Sequence, residues 1–150
     1  MAVVSPRPGP RLGRGVVRRL PASDRAPAAA RRVVAERLRV WRLERLVGDV
    51  ALIVSELVTN ARVHGVGSVT LRMEFTVGTR GPACVHVEVH DFGMGPRTRD
   101  AAEPDGGGAD RDVEHGRGLP LVAGIADRWG VRNSARGKGC TVWADRFVAS

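Results

Sequence analysis

Hydrophobic positions along this chain change period three times, and each change marks an expected element. Val16 to Leu20 forms a short strand candidate. Beyond it, Ala28, Val33, Val34, Leu38 and Trp41 recur at helical spacing. Ser23 or Asp24 is placed to cap that helix, which should run to about 41. A second helix is expected from about 44 to 64, with Leu46, Val47, Val50, Ile53, Val54, Leu57, Val58 and Ala61 as its apolar set and Gly65 and Gly67 ending it. The period then falls to two. Val69, Leu71, Met73 and Phe75 alternate with Ser68, Thr70, Arg72 and Glu74, and Val85, Val87 and Val89 alternate with Cys84, His86, Glu88 and His90. A turn at 78–82 would join these runs as an antiparallel hairpin with one buried face. A third helix is expected over about 119–127. Two last strands follow, at 128–133 and 140–146, around a turn at 137–139.

The resulting order is strand, two helices, two strands, a long loop, helix, two strands. Runs of strands with helices gathered on one face predict an α+β chain, a two-layer α/β sandwich. Its sheet should be mixed and mostly antiparallel. Residues 1–14, rich in Pro, Gly and Arg, read as a disordered tail before a domain over 15–150. Residues 92–115 form a long loop with Gly106, Gly107 and Gly108, and loops of that length tend to be lids, binding loops or disorder.

Composition narrows the class. At 150 residues and 43% hydrophobic the chain suits one domain, which should bury roughly two-thirds of its unfolded surface without a covalent staple. Cys84 and Cys140 are the only cysteines, too few for a secreted disulfide scaffold and without metal-ligand spacing. They read as reduced, and a cytoplasmic location is expected. No apolar stretch is long enough to span a bilayer, and no signal-peptide core follows Met1. The net charge of +8 is uneven: residues 1–45 carry +9 and residues 46–150 carry −1. Either a solvated tail and helix face or an acidic partner is consistent with that split.

Four segments carry candidate chemistry. Glu56, Asn60 and His64 are spaced four apart, so they share one face of the second helix. Asn60 suits a hard cation as an oxygen ligand. Glu56, one turn away, is placed to orient or deprotonate a hydroxyl. An ordinary solvent-facing helix edge has the same spacing. Asp91 continues the inward register of Val85, Val87 and Val89, and an inward carboxylate needs a bonding partner, such as the exocyclic amine of adenine. Gly93 and Gly95 follow, leaving room for a flat ring near the backbone. The competing reading is an Asp that opens a tight turn. Gly116, Arg117, Gly118 and Leu119 open a helix whose N–H groups and guanidinium suit a phosphate. They equally suit a flexible linker. Thr141, after Gly137, Lys138, Gly139 and Cys140, is placed to bond the amine near Asp91, or is simply a strand residue.

In order, E-L-V-T-N-A-x-x-H, D-F-G-M-G, G-R-G-L and G-K-G-C-T resemble the conserved boxes of the histidine-kinase-like ATPases, over about residues 16–146. That resemblance implies the Bergerat ATP-binding fold with ATP and Mg2+ as ligands. It implies that Asn60 holds the metal and that Asp91, assisted by Thr141, binds the adenine amine. Gly93, Gly95, Gly116 and Gly118 would line the nucleotide, and residues 96–115 would form the ATP lid.

No histidine-bearing dimerisation helix precedes the domain in this sequence, which separates it from sensor kinases. The phrases S-E-L-V-T-N-A and G-L-P-L-V-A-G-I-A-D-R-W-G resemble the actinobacterial anti-sigma factor serine/threonine kinases. Such proteins sequester a sigma factor and phosphorylate an anti-anti-sigma (STAS-type) partner. The resemblance makes Glu56 the catalytic base and Arg117 a charge-compensating group. It implies transcription regulation without direct nucleic-acid or membrane binding, and a homodimer is compatible with it. The alternative is a non-catalytic regulator whose partner affinity follows ATP occupancy. A nucleic-acid-binding role fits poorly, because three Trp, three Phe and no Tyr leave few stacking platforms.

Overall fold

The structure, a computed structural model, describes residues 13–64, 67–78, 81–93, 118–133 and 139–149. Its elements are β1 (Gly13–Leu20), α1 (Ala26–Val40), a 3-10 turn (Glu44–Leu46) running into α2 (Val47–His64), β2 (Val69–Thr76), β3 (Cys84–Asp91), α3 (Gly118–Ile125), β4 (Arg128–Asn133) and β5 (Cys140–Phe147). The order is the expected one. Residues 1–12 of the tail expected over 1–14, the whole of the lid 96–115 and residues 79–80 and 134–138 lie outside the described residues, while Gly13 and Arg14 belong to β1 instead of the tail because they pair with Thr76 and Phe75.

The ends of α1 differ from the capping expectation. Neither Ser23 nor Asp24 is the N-cap; Arg25 is, and its side chain makes no capping bond. Pro27 explains the shift, since its fixed φ and missing N–H suit a first helical turn. Ser23 supports the approach instead: its hydroxyl accepts from the Arg25 N–H at 3.3 Å and its carbonyl from Ala26 at 3.0 Å. Asp24 pairs with Arg62 at 3.3 Å. At the other end Arg42 takes φ 58. The Leu43 N–H then reaches the Leu38 carbonyl at 2.7 Å, and the Arg42 N–H reaches Arg39 at 3.0 Å. These two bonds form a Schellman stop with Leu43 and Leu38, both buried, as its apolar pair.

The five strands lie in the order β1-β2-β3-β5-β4. All four pairings are antiparallel, so the parallel contact of a mixed sheet is not found among the described residues. β3 and β4 do run the same way, but β5 is inserted between them. The inner face presents Val69, Leu71, Met73, Val85, Val87, Val89, Val142 and Ala144 to the helices. Ala30, Val34 and Leu38 of α1 and Val50, Ile53, Val54, Leu57 and Val58 of α2 cover it. Leu38, Ile53, Leu57, Leu71 and Met73 are among the largest fully buried side chains, each contributing about 1.5–3 kcal/mol on burial. No helix among the described residues is long and apolar enough to cross a membrane.

The other face of the sheet is polar and closely bonded. His86 Nδ1 stands 2.5 Å from Asp145 Oδ1, and its Nε2 stands 3.0 Å from Glu88 Oε1. Arg128 meets the second oxygen of Asp145 at 2.9 Å, and Arg132 binds Glu88. From β2, Glu74 is paired with His86 and Arg72 with Glu88, while Arg72 and Glu74 form their own ion pair. Trp143 is buried on this same face because Gly130 opposite it has no side chain; a Cβ there would lie 2.8 Å from Trp143 Cζ2.

A ring with both nitrogens facing carboxylates satisfies both only as an imidazolium. Burial alone would lower the His86 pKa, but the bonds to Asp145 and Glu88 outweigh it and hold it above the ordinary 6.5. Glu88, bonded by His86 and then faced by Arg132, is held down to about 2. The two shifts describe one shared contact and count once. The His86 contribution to stability is complete below pH 6.5 and is lost as pH rises through the raised value. The Glu88 contribution is complete above 4.5 and is lost as pH falls toward about 2. The melting temperature should therefore decline as pH rises above 6.5 through the raised His86 value. His86→Gln should flatten that decline, and parallel pH profiles for the two proteins would remove His86 as its source.

Candidate functional site

The candidate residues of the described part of the chain lie on α2 and at the end of β3. Glu56 and Asn60 sit half-buried on α2, beside the fully buried Ile53, Leu57 and Val58 that press on the sheet. α2 packs on both β3 and α3. The chain then turns directly into β2, whose Thr70 lies opposite His90. Gly67, at φ +82, stands within van der Waals reach of the Phe92 ring. The C-terminal end of α2 thus meets the C-terminal end of β3. His64 closes α2, and its side chain lies outside the described residues.

Asp91 is the inward residue that the register predicted, 4% exposed at the last rung of β3. Its Oδ1 accepts the Gly93 N–H at 2.6 Å. The tight turn weighed as the alternative is therefore present, and the turn itself orients the carboxylate. Gly93 is buried, while Phe92 between them is 57% exposed. Leu119, partly buried, packs against the core together with the fully buried Val122, and Gly118 opens α3. Gly95, Gly116 and Arg117 lie outside the described residues.

A family model for the histidine kinase-like ATPase domain matches residues 20–145. The chain belongs to that family. No curated protein matches it. As a histidine kinase-like ATPase domain it is an ATP-binding module. Two surface clefts of the described residues lie elsewhere: one of about 380 Å³ beside Pro21, Arg25, Ala28 and Arg32, and one of about 190 Å³ beside Asp24, Thr59 and Arg62. Neither contains Asp91. Residues 94–117 lie outside the described residues.

Thr141 requires a correction. Its partner across the β3–β5 ladder is His90, and its Oγ1 lies 2.9 Å from His90 Nδ1. It therefore stands on the face away from Asp91 and does not join it. Cys140, fully buried, is the residue opposite Asp91. Burial, then the nearby Asp91 charge, pushes its thiol up to about 11, so at neutral pH it is a neutral, unreactive neighbour. Counting the period-two register back from Val142 would have found it. Gly139 makes the approach possible: it has φ +106, and a Cβ there would sit 2.7 Å from the Asp91 carbonyl oxygen. Backbone meets backbone at that point, so neither side can yield. Gly139→Ala should cost about 2–4 kcal/mol in chemical denaturation. A variant as stable as its parent would show that this crossing is looser than its geometry.

Proposed function

We propose that this domain is an ATP-dependent serine/threonine protein kinase of the anti-sigma type. It would hold a sigma factor and release it on phosphorylating an anti-anti-sigma partner of STAS type. The observation that carries the reading is the pair Glu56 and Asn60, one turn apart and half-buried on α2, the helix that packs on β3, which ends in the inward Asp91.

Each residue has a physical task. Asp91 would accept from the amine of adenine, with its direction set by the Gly93 N–H. Glu56 would take the proton from the attacking Ser or Thr hydroxyl of the partner. Among the described residues no cluster of three or more His, Cys, Asp or Glu could hold a metal by itself. A divalent cation at Asn60 would therefore share its shell with phosphate oxygens, as Mg2+ commonly does. The chemistry it supplies when bound is neutralisation of phosphate charge. Because Glu56 stands beside the metal-binding side chain instead of replacing it, binding and transfer are separable.

Calorimetry with ATP should show binding that strengthens with Mg2+, and Asn60→Ala should remove the metal dependence. Asp91→Asn should weaken ATP by about 10–100-fold, the loss of a hydrogen bond to a charged group. Glu56→Ala should bind ATP like the parent yet transfer no phosphate from labelled ATP to a STAS-type partner. A Glu56→Ala protein that still phosphorylated the partner would reject the assignment of the base. A parent that bound ATP but never transferred it would leave an ATP-sensing regulator.

A further inference from the structure

Directly behind Asp91, on the polar face of the sheet, one imidazole meets three residues around the end of β3. His90 precedes Asp91 on β3 and points the opposite way, pairing with Thr141 at 2.9 Å. Its ring meets Phe92 edge-on, with centroids 5.4 Å apart. Gly139 runs against the same ring: a Cβ there would fall 2.8 Å from His90 Cε1 and 3.0 Å from Nε2, besides reaching the Asp91 carbonyl. The ring thus contacts both residues that flank Cys140 and the residue that follows Asp91.

We propose that His90 is a positioning residue of the nucleotide site, clamping the start of β5 against β3 so that the Asp91 carboxylate keeps its direction. The proposal rests on the reading of Asp91 as the base-binding group. Asp91 and Cys140 form the last rung of the β3–β5 ladder, and strand ends open first because they have the fewest neighbours. The Gly93 N–H anchors the carboxylate from one side. β5 holds the strand along the edge opposite β2, and two demands meet there. Thr141 needs a hydrogen-bonding partner, and Gly139 needs a flat group over a position where no side chain fits. An aliphatic residue at 90 would offer Thr141 no hydrogen bond and no flat face to Gly139, and a small hydroxyl residue would answer the first demand alone. An imidazole answers both.

Amide hydrogen exchange on the nucleotide-free protein tests the clamp without relying on ATP. His90→Ala should speed exchange at Cys140 and Val142 by about tenfold or more while leaving the β1–β2 amides unchanged. ATP titration of the same variant should show affinity lower by about tenfold, with Thr141→Val shifted in the same direction by less. The double variant should bind no more weakly than His90→Ala alone, since the Thr141 contribution passes through the ring. His90→Asn, which keeps a polar atom toward Thr141, should recover part of both losses. Unchanged exchange at Cys140 in His90→Ala would overturn the clamp. Faster exchange with native ATP affinity would overturn the positioning role and leave a brace for the strand end. If the parent itself failed to bind ATP, the nucleotide reading would fall, and the exchange measurement would still decide the clamp.

Discussion

β3 is covered on both faces, and the rest of the structure follows from satisfying two opposite demands on one strand. Toward the helices it presents Val85, Val87 and Val89, which α2 and α1 seal from water. Toward the other side it presents His86, Glu88 and His90, none of which is tolerable at such burial without partners. Asp145, Arg132 and Thr141 supply them from the neighbouring strands. These cross-strand bonds also fix the register. A slip of one residue would put three histidine and glutamate side chains into the apolar layer and three valines outside. β5 therefore has one alignment with β3, and that alignment sets Asp91 against Cys140.

The candidate site is the place where the inward register of β3 stops being apolar. A valine at position 91 would simply extend the core. A carboxylate there needs bonds, and the Gly93 N–H provides one at the expense of ending the strand. Gly139 is the matching concession on β5: a left-handed residue that lets backbone approach the Asp91 carbonyl. A side chain at Gly139 would meet the Asp91 carbonyl oxygen and the His90 ring. The His86 network lies farther along the same pair of strands, where it holds the sheet together from a distance.

Much of this was legible from periodicity. The change from helical spacing to alternation located every strand to within a few residues, and the inward position of Asp91 followed from Val85, Val87 and Val89. The alternation failed as a guide only where both faces are filled. In β5, Cys140, Val142 and Ala144 face inward, yet Trp143 is also buried, under the gap left by Gly130. With large apolar groups on both sides the facing of Thr141 was ambiguous, and its hydroxyl suggested the wrong face. The start of α1 was hidden for a different reason. Ser23 and Asp24 are good caps by type, but Pro27 fixes the first turn and leaves Asp24 to Arg62. The order of β4 and β5 in the sheet is a tertiary choice that local pattern does not encode.

The arginines separate into two groups with different work. Arg128, Arg132 and Arg146 are paired with Asp145, Glu88, Asp49 and Asp127, so their charge is spent inside the fold. In the N-terminal third, Arg25, Arg32 and Arg39 are exposed on α1, spaced seven residues apart. Seven residues is close to two helical turns, so they stand in one line on the side away from the core. No acid of α1 lies in its first turn to offset them. Arg25, Arg32 and Arg39 thus carry part of the charge excess of residues 1–45 on an exposed surface, whereas Arg31 bonds Ser55 and Arg45 bonds the Ala149 carbonyl. Fields of that kind act on how fast and with what a protein associates, not on whether it folds.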